Sequence, residues 1–281
     1  MVEGLRARLV TGAVLGCALV VGVWWLPPAG LALAGAAAVM AAAWEWGLLV
    51  AGRRAAIAFC LAVGALLGAA GVELELWGAA PDGERILRLL SVACAFWALA
   101  VLWVQSYPAS GLLWRGGALR FALGVLVLLP PWVAALWLAS LPGGRGLLLL
   151  ALGLVVCVDV GGYFIGHRWG RRPLAPRVSP GKTWEGLAGG LGLALLALAA
   201  ALAAVPAWRA AWGRWLAVAL ATAFAAVVGD LFESMVKRQR GVKDSGRLLP
   251  GHGGVLDRVD GMTAALPTFA FFYANLVLSA P

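Results

Sequence analysis

Nine apolar runs, each near the length of a membrane-crossing helix, constrain this chain more than any other feature. They lie near residues 9–26, 30–50, 55–72, 86–106, 119–140, 146–166, 187–205, 213–232 and 262–279. A hydrocarbon core about 30 Å thick takes roughly 20 residues of helix. Composition agrees with lipid as the main solvent: 63% of the 281 residues are hydrophobic and 12% are charged, against about 25% charged in a soluble domain. This excludes a disordered chain, a nucleic-acid-binding domain and an ordinary water-soluble enzyme. The runs are continuous and rich in Ala, Leu and Gly, without alternation, so helices are expected and a β-barrel is not. The first run, preceded by Arg6 and Arg8, also has the outline of a signal peptide. Its Trp24-Trp25-Leu26-Pro27-Pro28 end offers no small-residue cleavage site, so it reads as a span.

The expected fold is therefore an all-α polytopic membrane protein of about nine transmembrane helices with two cytoplasmic catalytic loops. About five spans fall in residues 1–140, the N-terminal membrane helices, and about four in 141–281, the C-terminal catalytic region. Charge orients it. With the N-terminus inside, only Arg85, Arg88, Arg145, Arg209 and Arg214 of the 22 Lys and Arg fall outside, as the excess of cations in cytoplasmic loops requires. The net charge of +9 then reflects basic loops and not nucleic acid. An integral protein of the bacterial plasma (inner) membrane, with its site facing the cytoplasm, is the expectation. Cys17, Cys60, Cys94 and Cys157 lie in apolar runs without metal-ligand spacing and read as small buried hydrophobes. The 15 Trp cluster near segment ends as interfacial anchors. Gly189, Gly190 and Gly192 form a small-residue patch suited to close helix packing.

Polar residues concentrate in two long cytoplasmic stretches, 159–186 and 229–261. Asp159 and Asp230 each end an apolar run, and a carboxylate at that depth points to function with a cation as partner. If its helix continues, Asp230, Ser234 and Lys237 share one face, at i, i+4 and i+7. Asp257 and Asp260, at i, i+3, project together before the last span. Carboxylates of this kind, with Lys and Arg nearby, suit Mg²⁺ and phosphate chemistry. His252 lies among glycines, and Gly253 and Gly254 allow backbone N–H groups to approach an anion. Ser179-Pro180-Gly181-Lys182-Thr183 lacks the GxxxxGK[ST] pattern and a preceding strand, so it is no P-loop. It reads as a turn that delivers Lys182, Thr183 and Glu185 to a helix start, which itself favours an anion.

The second stretch resembles the signature of the phosphatidate cytidylyltransferases, the CDP-diacylglycerol synthases. The matching positions are Ser234, Lys237-Arg238, Lys243-Asp244, Gly246, Pro250, His252-Gly253-Gly254, Asp257-Arg258 and Asp260. The first stretch is similar too: Asp159, then Gly162-Tyr163-Phe164 and Gly166, then Ser179 to Gly186. One position departs, with Val160 where the family has Thr. The resemblance implies transfer of the cytidylyl group of CTP to phosphatidic acid. It implies Mg²⁺ on Asp230, Asp257 and Asp260, with Asp159 alongside, and leaves a second, monovalent cation open. Ser234 and Lys237 would contact phosphates. Lys182, Lys243 and Arg258 would hold the triphosphate or the lipid headgroup, within a binding set that includes Ser179, Thr183, Asp244, His252, Gly253 and Gly254. Expected partners are CTP, phosphatidic acid and membrane lipids, with no nucleic acid and a homodimer left open. A CTP-dependent polyprenol or lipid kinase would need the same metal and nucleotide. An ion-coupled transporter would use Asp159 and Asp230 but leaves the matched stretch unexplained.

Overall fold

A computed structural model of the chain describes residues 14, 16–76, 81–246, 248 and 253–279. Apolar runs become helices because a spanning segment must satisfy every backbone N–H and C=O within itself. The helices are α1 (Gly16–Trp25), α2 (Pro28–Ala51), α3 (Arg53–Glu73), α4 (Gly83–Gln105), α5 (Gly117–Ser140), α6 (Gly144–Trp169), α7 (Trp184–Ala204), α8 (Trp212–Arg240) and α9 (Leu256–Tyr273). Among the described residues, eight helices are long and apolar enough to cross a membrane, and Gly16–Trp25 is a shorter apolar helix. Residues 9–13 and 15 of the first expected span lie outside the described residues, as do Arg6 and Arg8.

Local signals start and stop these helices. Pro28 opens α2, where a missing N–H costs nothing. The Asp82 side chain accepts from the Arg85 N–H at 3.0 Å and starts α4. Gly241, at φ +74°, closes α8 in the left-handed region behind Lys237, Arg238 and Arg240. The two faces of the bundle are consistent with the cation count. Arg145 at the start of α6 binds the carbonyls of Trp24 and Leu26. Arg238 at the end of α8 donates to the Val178 carbonyl at 3.2 Å. Residues assigned to one side meet on one side.

The helices run further than the apolar runs do. About half of each of the stretches 159–186 and 229–261 is helical, the helices reaching in from their flanking spans. Helix α6 carries Asp159 and the Gly-Tyr-Phe run on to Trp169, and α8 carries Asp230 on to Arg240. Hydropathy marks where lipid ends, whereas Glu, Met, Lys, Arg and Gln keep a helix going past that level. At about 1.5 Å per residue, α8 is roughly 43 Å long, more than a hydrocarbon core of about 30 Å requires. Between α6 and α7 the expected turn is a small antiparallel hairpin, β1 (Pro173–Ala175) and β2 (Ser179–Thr183), with Pro173 opposite Thr183 and Ala175 opposite Ser179. This is the strand pair in an otherwise helical description.

Helices α6 and α7 pack closely through glycine. A Cβ on Gly161 would sit 2.5 Å from the Gly189 carbonyl oxygen, and one on Gly190 would sit 2.6 Å from that of Val158. Side chains larger than hydrogen would push the two backbones apart. Helices α8 and α9 approach in the same way, with Gly229 set against the Asp260 carbonyl. Phe96 and Trp97 on α4 pack edge-on against Phe232 of α8, at 5.4 and 5.5 Å between ring centroids. These contacts hold the carboxylate-bearing segments of α6, α8 and α9 side by side.

Candidate active site

A cavity of about 420 Å³ opens where α6, α8 and α9 meet the hairpin and the start of α7. Asp159, Asp230, Asp257 and Asp260 line it, together with Lys182, Thr183 and Arg258. Four helix-borne carboxylates thus face two cations across one cavity. Lys182, at the end of β2, forms an ion pair with Asp230. The Ser234 hydroxyl, one turn along α8, donates to Asp230 Oδ1 at 3.4 Å. Asp260 Oδ1 accepts from the Gly261 N–H at 2.7 Å. Thr183 caps α7, its hydroxyl oxygen accepting from the Gly186 N–H at 3.1 Å.

A second layer of charge lies behind this wall. Lys237 Nζ donates to Glu233 Oε2 at 2.8 Å and to Asp257 Oδ1 at 2.6 Å, and all three side chains are at most 10% exposed. The other donors to Asp257 are backbone: Gly254 N–H at 2.8 Å, and Ser245 N–H at 3.2 and 3.0 Å from Oδ1 and Oδ2. The loop carrying Ser245 is held in turn by Glu45 of α2. That carboxylate accepts from the Ser245 hydroxyl at 2.9 Å and from the N–H groups of Val255 and Leu256 at 3.0 and 2.8 Å. Gly253 adopts φ +82° beside Asp257, a conformation glycine accepts without strain.

Beside the polar cavity lies an apolar one of about 510 Å³, sharing Leu174, Leu187 and Val227 with it. Val101, Trp184, Phe224 and Leu231 contribute to its walls, and Arg177, Gln105 and Tyr107 bring polar groups to it. Trp184 and Phe224 are both exposed.

A sequence profile described as the cytidylyltransferase family matches residues 6–276. The chain belongs to the cytidylyltransferase family. Among its relatives, a phosphatidate cytidylyltransferase of Pseudomonas aeruginosa is 41% identical over 268 residues, covering 95% of this chain and 96% of the relative. One from Haemophilus influenzae is 37% identical over 289 residues, covering 96% and 98%. One from Brucella suis is 36% identical over 278 residues, covering 97% and 94%.

The residues that carry the resemblance to the cytidylyltransferase family divide in the structure. Asp159, Asp230, Asp257, Asp260, Lys182, Thr183 and Arg258 meet at the cavity. Ser234 touches it through Asp230. Lys237 is buried behind it, bound to two carboxylates, and serves the wall. Ser179 on β2, exposed Lys243 and exposed Asp244 do not line the cavity. His252 and Pro250 lie outside the described residues. The Gly254 N–H donates to a protein carboxylate, Asp257 Oδ2, at 2.8 Å.

Glu45 and Glu233 were not among the expected site residues. Glu45 carried a readable signal: it stands between Trp44 and Trp46 inside an apolar run, and a carboxylate at such depth calls for a partner. Glu233 is paired by spacing, four residues before Lys237.

The donor set fits a divalent cation shared with substrate. Among the described residues no group of three acidic, His or Cys side chains is gathered tightly enough to hold a metal alone. Mg²⁺ ordinarily takes one or two protein carboxylates and fills its shell with phosphate oxygens and water. Asp159, Asp230 and Asp260 around an open cavity meet that requirement. Asp257 would contribute only through lone pairs that its three donors leave.

Proposed function

We propose that this protein transfers the cytidylyl group of CTP to phosphatidic acid, releasing pyrophosphate and forming CDP-diacylglycerol in the membrane. The observation that carries the reading is the polar cavity opening beside an apolar slot: one substrate is a water-borne polyanion, the other a lipid with an anionic head. Family membership supports the same reaction, as do relatives bearing that name over nearly the full chain.

In this reading an oxygen of the phosphatidate phosphate attacks the α-phosphorus of CTP in line. The bond from that phosphorus to the bridging oxygen breaks, and pyrophosphate leaves with the electron pair. The attacking phosphate is already ionised, so no general base is required. The barrier is repulsion between two anions, and fixed positive charge at the reacting phosphates lowers it. Lys182 and Arg258 supply such charge from the hairpin and from α9. Asp159, Asp230 and Asp260 would hold Mg²⁺, which when bound supplies the remaining positive charge at the phosphates. Arg177 at the apolar slot suits the lipid headgroup, with an acyl chain lying along Trp184, Phe224 and Leu231. The site faces the cytoplasm of the bacterial inner membrane, the side where the cations gather.

The test is incubation of purified protein with Mg²⁺, phosphatidic acid and CTP labelled at either the α- or the γ-phosphate. Label from the α-position in a CDP-lipid, with γ-label recovered as pyrophosphate and both lost on chelation, is the expected result. Transfer of the γ-phosphate to a lipid, with release of CDP, would replace this reading by a lipid kinase.

A further inference from the structure

One carboxylate of the N-terminal helices sits under the catalytic loop. Glu45 is 1% exposed and about six residues from the end of α2. Among the described residues, its three donors belong to the segment that leads into α9: the Ser245 hydroxyl and the N–H groups of Val255 and Leu256. The last two are orphan donors at a helix start, where a negative charge is favoured. The fit is close on every side. A Cβ on Gly246 or Gly254 would collide with the Glu45 carboxylate, so both glycines are explained by the acid they enclose. Ser245 then acts in two directions. Its hydroxyl is held by Glu45, and its backbone N–H is held against both oxygens of Asp257. Asp257 in turn holds Lys237 and lines the cavity.

We infer that Glu45 is a positioning residue for the cytidylyl transfer proposed above, on which this inference rests. By clamping Ser245 and the first turn of α9, it sets where Asp257 and Asp260 stand at the cavity. The catalytic region therefore depends on α2, a helix that lines neither the polar nor the apolar cavity.

Glu45→Gln tests this with minimal change of shape. Its amide has one acceptor oxygen for three donors, so at least one N–H or hydroxyl loses its partner. The expected result is a fall in kcat of about 10- to 100-fold, the range typical of residues that orient catalytic groups. KM for CTP should change little, and thermal stability in detergent should stay near wild type. Hydrogen exchange should quicken at Ser245 and Gly254–Leu256 and remain unchanged in α6 and α7. Ser245→Ala, which removes a single bond, should show the same pattern more weakly. Trp132→Phe provides the contrast: it removes a hydrogen bond to the Ala32 carbonyl, also on α2, and should lower stability without lowering kcat of the folded enzyme. Wild-type kcat and exchange in Glu45→Gln would overturn the inference, as would a loss of kcat that only tracks lost stability. If wild-type protein makes no CDP-lipid, the activity reading fails, while the exchange measurement still decides whether Glu45 clamps the loop.

Discussion

Two kinds of charged residue meet at this site, and they should fail differently. Asp260 lines the cavity and spends one oxygen on a neighbouring N–H. Its replacement by Asn keeps shape and that bond but removes the charge. Asp260→Asn should therefore lower turnover by about a hundredfold or more, as loss of a transition-state electrostatic contact does, with unfolding unchanged. Lys237 lies between Glu233 and Asp257 in a nearly dry environment. Lys237→Met leaves two carboxylates buried without their cation, a change that typically costs about 3–5 kcal/mol. Its mark should be a lower denaturation midpoint in detergent. The pair of measurements separates chemistry from support, and equal effects of both variants on stability would deny that division.

At the scale of elements, the decisive feature is the glycine seam between α6 and α7. Gly161 and Gly190 oppose neighbouring backbone at distances no Cβ tolerates, whereas Gly192 in the same patch faces open space. The seam lies beside the site: Asp159 and Gly162 of α6 line the cavity with Lys182 and Gly186 across from them. Gly190→Val should separate the helices, weaken the Lys182–Asp230 contact, and lower both activity and thermal stability, whereas Gly192→Val should change stability by less than about 0.5 kcal/mol. Assays of the two variants side by side check this. The sequence displays all three glycines alike, and only the crossing of two helices distinguishes them. The hairpin between these helices is of the same kind. Its residues read as a turn because three- and five-residue strands are too short to show a period. What they achieve, presenting Lys182 to Asp230, requires α8 from a distant part of the chain.

For the whole molecule, the two-faced distribution of cations predicts the placement of the site. In a cysteine-free background, single cysteines at Arg177 and Arg209 should label from opposite sides of oriented membranes, Arg177 from the cytoplasm. Labelling from the same side would refute the assigned topology. The approximate course of the spans and the family were legible in the sequence. Burial in lipid is nearly additive along a helix, and a phosphate-handling motif is local in spacing. The ends of the spans were not legible, since α6 and α8 continue as helices past the point where their residues cease to be apolar. Nor was the role of individual polar residues. Lys237 matches the motif as fully as Lys182, yet one is buried between two acids and the other reaches the cavity. Glu45 matches no motif, yet it holds the loop some 200 residues away. Which carboxylate binds substrate and which binds protein depends on the donors that distant helices bring within about 3 Å of it, and only the packed tertiary structure brings them there.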